Sequence, residues 1–248
     1  MKQTNKTNFE RVCEALKKLK WDVWEKAVKN EPEWKETEPL LERYGPNRFL
    51  VFMVMAGLND YQLKGVAEIK YWPLLVRNLM DKSDISNKPS DFIGLLKSFY
   101  ANERLYENKL KRLEKFLNSE LALKLWQTPL KEIARNLDKI WYELAETMKP
   151  KSTSINNYCN RKTIVFAMKC LAISLLMFEI RDFEFNIPIP VDSRIKKITS
   201  KWGLLPENSS EKDIQQIWQA VLENLKKTYP YINMVHLDSF LWQRANTE

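Results

Sequence analysis

Two short stretches carry side chains suited to the two halves of one reaction. Arg161-Lys-Thr-Ile-Val-Phe-Ala-Met-Lys169 sets a lysine, Lys162, at the mouth of an apolar helix. Ile187-Pro-Ile-Pro-Val-Asp192-Ser-Arg194 ends a stiff proline run on an aspartate. A neutral amine can attack the anomeric carbon of a nucleotide, and a carboxylate can stabilise the positive charge that develops on the sugar. Each residue also has a plain structural reading. A lysine at a helix start is usually a solvated charge, and Asp192 precedes a helix, where aspartate is a favoured N-cap. Two features sharpen the chemical reading of Lys162. The apolar helix should desolvate it, and the positive helix N-terminus should disfavour its charged form. The prolines lower the entropy cost of holding Asp192 in one geometry.

These residues need a helical frame. Five glycines in 248 residues and almost no alternating apolar pattern point to an all-α protein. Helices are expected at Phe9–Lys20, Trp21–Lys29, Arg48–Asn59, Ala67–Lys82, Pro89–Leu96, Glu103–Phe116 and Leu121–Trp126. Arg48–Asn59 is apolar nearly all round and should be central, and Pro73 should kink or break its helix. Thr128-Pro129 opens a single helix to about Met148, a polar connection covers 149–160, and the apolar helix from Arg161 follows. Residues 184–191 should be extended, because each proline biases the residue before it away from α. Helices at Ser193–Trp202, Ser210–Thr228 and His236–Arg244 complete the chain.

Forty Lys+Arg against thirty-two Asp+Glu give a net charge of +8 and a sequence pI near 9.2. The excess is clustered. No acidic residue occurs from Thr147 to Phe178, which holds Lys149, Lys151, Arg161, Lys162 and Lys169. Arg194, Lys196, Lys197 and Lys201 form a second acid-free group. Such patches suit a phosphate backbone. Cys13, Cys159 and Cys170 have no paired spacing, and with one histidine they make neither a usual zinc set nor an iron–sulfur ligand set. Neither metal nor organic cofactor is therefore expected. The odd cysteine count and the lack of a signal-peptide pattern predict a reducing cytoplasm. Thr163–Phe178 is too short to cross a bilayer, so no membrane role is expected.

The blocks 161–169, 187–194 and His236-Leu-Asp-Ser-Phe-Leu-Trp242 together resemble the archaeal GO glycosylase family, and Trp126–Ile133 and Gln215–Val221 look similar. That family comprises 8-oxoguanine DNA glycosylases with an attached strand-cleaving (AP lyase) activity, a branch of the helix-hairpin-helix superfamily. The resemblance implies two helical lobes with the active site in the cleft between them. The expected lobes are roughly 1–66 plus 186–248, and 67–185, with the helix-hairpin-helix at about 129–178. Unlike the usual motif, the hairpin here is long and has no glycine.

Carried over residue by residue, Lys162 becomes the Schiff-base lysine and Asp192 the catalytic carboxylate, which would stabilise the oxocarbenium-like sugar and help deprotonate Lys162. Phe166, four residues after Lys162, and Trp242, four after Asp238, become the walls that sandwich a flipped purine, with Asp238 accepting from its Watson–Crick edge. Core packing is the ordinary reading of Phe166, and helix capping that of Asp238. Trp72, after Tyr61-Gln-Leu-x-Gly65, matches a pocket tryptophan whose indole N–H donates to the base, with a one-residue length difference. Glu33 stands where the family has a pocket glutamine. Either can accept the N7–H that 8-oxoguanine has and guanine lacks, but only the amide also donates. Lys151, Arg161 and Arg194 would hold phosphates. His236 is best read as structural. The implied partner is double-stranded DNA containing 8-oxoguanine, bound by a monomer. A non-catalytic helix-hairpin-helix DNA-binding protein is the alternative, although pure binding has no use for a proline-braced aspartate facing a half-buried lysine. No resemblance covers about 80–120.

Overall fold

The helical spacing of the apolar residues is realised almost everywhere. The computed structural model describes residues 2–82 and 87–247 and, among these, contains fifteen α-helices and no strand. In chain order they are α1 (Lys2–Lys17), α2 (Trp21–Lys29), α3 (Pro32–Lys35), α4 (Leu40–Asn59), α5 (Trp72–Met80), α6 (Asp91–Tyr100), α7 (Tyr106–Leu117) and α8 (Glu120–Gln127). Then come α9 (Leu130–Arg135), α10 (Leu137–Met148), α11 (Ile155–Tyr158), α12 (Lys162–Met177), α13 (Ser193–Lys201), α14 (Glu211–Lys226) and α15 (Met234–Thr247). A π-helical turn, Ala67–Tyr71, leads into α5. No helix among the described residues is long and apolar enough to cross a membrane.

Residues 32–184 form one compact unit, and 1–31 with 185–248 form the other. The divisions fall after Glu31 and after Glu184, which leaves the central helix in the 32–184 unit. That helix is α4. Every residue from Phe49 to Asn59 is buried, and the principal partner of α4 is α12. A helix apolar on all faces has no solvent side and must be enclosed. It therefore belongs with α12.

The two helices approach closely because Gly57 has no side chain. A Cβ there would lie 2.8 Å from Cys170 Sγ and 2.9 Å from Ala167 Cα. Since one of these contacts is backbone, Gly57→Ala is expected to destabilise the fold by about 1–3 kcal/mol, the scale of core overpacking. Denaturant unfolding measures this, and an unchanged midpoint would contradict the contact.

Two local expectations change. Pro73 does not break a helix. It sits at the second position of α5, where its missing N–H costs nothing, and the π-turn precedes it. The single helix expected from Pro129 to Met148 is two. Asn136 leaves helical geometry (φ −120°, ψ 23°), and its side-chain amide donates to the Glu132 carbonyl at 2.8 Å. Asparagine competes for backbone partners in this way. Beyond α10, the Trp141 indole donates to the Cys159 carbonyl at 2.8 Å and ties down the polar connection that ends at α12.

In the other unit α15 packs on α2 and α13, and α1 on α14. Trp218 is fully buried and donates to Thr199 Oγ1 at 2.8 Å, joining α14 to α13. Gly203, at φ +70°, ends α13 in the left-handed region that glycine adopts without strain. The proline run lies outside any helix, between Met177 and Ser193.

Candidate active site

Within the 32–184 unit, α4 and α12 run in opposite directions. Gly57 meets Ala167 and Cys170, and one turn on, Asp60 at the end of α4 lies in electrostatic reach of Lys162 at the start of α12. Lys162 is the first residue of α12, after an extended Arg161 (φ −63°, ψ 137°). Its side chain is exposed, so the desolvation expected from the apolar helix does not reach it. The buried faces of α12 begin at Ile164. The group that is desolvated is Asp60. Burial pushes its carboxyl up to about 6, against the pull of the Trp72 hydrogen bond and then of the Lys162 and Lys109 charges, while Glu68 adds a little to the rise.

Asp60 is held from below. The fully buried Trp72 donates from Nε1 to Asp60 Oδ2 at 3.0 Å. The indole N–H expected to serve the base is thus engaged by Asp60 in this structure. Tyr71 and Tyr100 are buried beside it with their hydroxyls 2.9 Å apart, and the Tyr71 hydroxyl reaches the Ala56 carbonyl at 2.9 Å. Lys109, wholly buried, pairs with Glu103 at 3.0 Å and lies over the rings of Tyr61 and Tyr71.

Phe166 follows Lys162 by one turn and is half-buried, unlike its neighbours Val165 and Ala167 in the core. Partial exposure on the Lys162 face fits a contact surface better than a packing residue. Glu33 is 3% exposed and sits in α3, which packs on α12. The departure from glutamine is therefore a buried carboxyl on the helix pair that carries the lysine. Arg161 and Lys151 are exposed, and the Arg161 guanidinium rests 5.4 Å from the centre of the Tyr158 ring.

In the unit built from 1–31 and 185–248, Asp192 caps α13. Its Oδ1 accepts from the backbone amides of Arg194 (2.9 Å) and Ile195 (3.0 Å). The capping reading is thus correct, and it fixes the carboxylate at a helix N-terminus. Asp238 is different. It is 3% exposed and lies inside α15, whose start is capped by Asn233, Oδ1 accepting from Val235 N at 3.1 Å. Capping therefore does not explain Asp238, and a carboxyl buried within a helix fits the recognition role. Trp242, one turn further, is half-buried with the Arg194 guanidinium 4.5 Å from its ring centre. Arg194 thus packs over that ring as well as lying in a basic cluster. His236 is buried, with Nδ1 2.9 Å from Asn233 Oδ1 and its ring against Trp21.

The AGOG family of N-glycosylase/DNA lyases matches residues 13–248. The chain belongs to that family. It is 27% identical over 206 residues to an N-glycosylase/DNA lyase of Methanococcus maripaludis, covering 78% of this chain and 69% of that protein. The corresponding protein of Methanopyrus kandleri is 27% identical over 218 residues, 85% of this chain and 78% of its own length. The crystal structure of Pa-AGOG, the 8-oxoguanine DNA glycosylase of Pyrobaculum aerophilum, complexed with 8-oxoguanosine, superposes with a TM-score of 0.74 at 20% identity. That likeness covers 98% of this chain and 89% of the other, and it establishes the fold.

Asp60 is absent from the candidates read off the sequence. A signal was present. A carboxylate at the C-terminal end of an apolar helix opposes the helix dipole, and such a break in local rules marks strained or functional positions.

Proposed function

We propose that the chain excises 8-oxoguanine from duplex DNA and nicks the strand at the resulting site. Lys151, Arg161 and Arg194 hold phosphates, and a single protomer binds the duplex with the damaged nucleotide flipped out. Phe166 and Trp242 stack on the base, and Asp238 accepts from its Watson–Crick edge. The Lys162 amine attacks C1′ as the bond to the base breaks and the base departs with the bonding electrons. Asp192 stabilises the oxocarbenium-like sugar during that step. Ring opening gives an imine between C1′ and Lys162. Loss of a proton from C2′ then expels the 3′ phosphate and nicks the strand.

The observation that carries this reading is Lys162 itself, exposed at the first position of the central helix in a chain of the N-glycosylase/DNA lyase family. Sodium borohydride trapping with an 8-oxoguanine duplex tests it. A covalent protein–DNA adduct is expected, and its absence would remove the lyase reading.

Glu33 supplies a test of base choice. A buried carboxylate accepts from N7–H of 8-oxoguanine and repels the N7 lone pair of guanine, so the normal base is rejected. An amide can donate to that lone pair as well as accept, so Glu33→Gln should weaken discrimination against guanine. Single-turnover excision of both bases by both proteins decides, and equal discrimination would place Glu33 outside the pocket.

A further inference from the structure

We propose that Gln62 meets the base opposite the lesion once 8-oxoguanine is flipped out, and that α7 holds it in place for this. The inference rests on the excision reading above, which leaves that facing base without a partner. Flipping a nucleotide strips the base opposite of its Watson–Crick hydrogen bonds, and polar groups left unmet are costly. The place of Gln62 is set by the central helix pair. The rings of Phe49 and Phe178 lie 5.7 Å apart and Gly57 meets Ala167, so α4 and α12 run in opposite directions. The chain therefore leaves α4 after Asn59 at the end of the pair where Lys162 opens α12. From Ala167 back to Lys162 is only about 7.5 Å of helix.

The segment that follows α4 is held to one shape. Gln62 is exposed and has φ +43°, in the left-handed region that residues with a side chain seldom occupy. Such a conformation persists only where its surroundings dictate it, and it collects at functional positions. Here α7 and the residues just before it supply the surroundings. Arg112 donates to the Leu58 carbonyl at 3.0 Å and lies 5.1 Å from the centre of the Tyr61 ring. Lys109, wholly buried, lies 5.5 Å from the same ring and pairs with Glu103 at 3.0 Å. Glu103 in turn accepts from the Lys64 backbone amide at 3.3 Å. A buried ion pair is a weak source of stability, and its use here is to fix geometry. Both flanks of Gln62 are tied down while Gln62 itself stays exposed. Its amide also suits the task, because it carries an acceptor and two donors side by side. Every base has a neighbouring donor and acceptor on its Watson–Crick edge, so a glutamine can pair with whichever base faces the lesion.

The test is single-turnover excision by the full chain from 8-oxoguanine duplexes that differ only in the facing nucleotide, cytosine or a spacer without a base. Gln62→Gly removes the amide yet suits the left-handed backbone, so its melting temperature should not fall. With cytosine opposite, it should slow excision about tenfold, the scale of losing the hydrogen bonds to one base. With the spacer opposite there is no base to meet, and wild type and variant should agree within about twofold. A merely structural role would not make the loss depend on the facing base. Arg112→Met keeps Gln62 but frees one flank, and it should show part of the same base-dependent loss. Full activity of Arg112→Met would remove α7 from the proposal. Equal rates for wild type and Gln62→Gly opposite cytosine, or an equal loss opposite cytosine and spacer, would overturn the inference and leave the excision reading intact. No excision by the wild type itself would overturn both.

Discussion

Lys162→Gln is expected to abolish base excision and the borohydride-trapped adduct together, while the variant still binds lesion duplex close to normally. The reason is a difference in how the two properties are distributed. On the proposed reading, nucleophilic attack passes through one nitrogen, at the first residue of α12, whereas binding is spread over phosphate contacts by Lys151, Arg161 and Arg194 and base contacts by Phe166, Asp238 and Trp242. The substitution is also structurally mild. Lys162 is exposed, the buried face of α12 starts two residues later, and glutamine is a good helix former. A melting temperature within a degree or so of wild type is therefore expected, since exposed substitutions away from special features change little. Trapping is the decisive measurement, because it reports the covalent bond itself. Adduct formation at the wild-type rate would remove Lys162 from the chemistry.

Much of this arrangement is legible in the chain. The period of Leu130, Ile133, Leu137, Ile140, Trp141 and Leu144 gives a helical stretch, and the all-apolar run from Phe49 gives its buried centre. What the pattern does not give is which unit a central helix joins. That depends on the partner it is enclosed by, a long-range property of Gly57 against Ala167 and Cys170. The break at Asn136 is hidden for the opposite reason. It is a local competition between a side-chain amide and the helix, too small to disturb the apolar period on either side.

At the site, residues whose chemistry is carried by one side chain in a quotable motif are read correctly as to place. Lys162 opens α12, Asp192 opens α13, and Phe166 follows at one turn. Environment is harder to read than identity. The apolar character of α12 suggests a desolvated lysine, yet the burial falls on Asp60, which belongs to another helix. The Trp72 N–H likewise looks available for a ligand until its partner is seen. Asp238 goes the other way. Position alone allows a cap, and only the placement of Asn233 before α15 removes that reading.

Asp192→Asn separates a cap from a catalyst, because the two roles ask for different properties of the same side chain. Capping asks for an oxygen that can accept from the amides of Arg194 and Ile195, as Oδ1 does at 2.9 and 3.0 Å. Asparagine supplies that oxygen, and the two residues rank together as N-caps, so α13 and the melting temperature should survive. Stabilising an oxocarbenium-like sugar asks for a full negative charge, which asparagine lacks. The expected result is a fall of at least about a hundredfold in single-turnover excision, the scale of losing one preorganised electrostatic group. Lesion binding should change far less, since the charge on the sugar appears only as the base departs. Near-normal turnover with an unchanged melting temperature would leave Asp192 with capping alone. In that case the positive charge on the sugar would have to be met by another carboxylate.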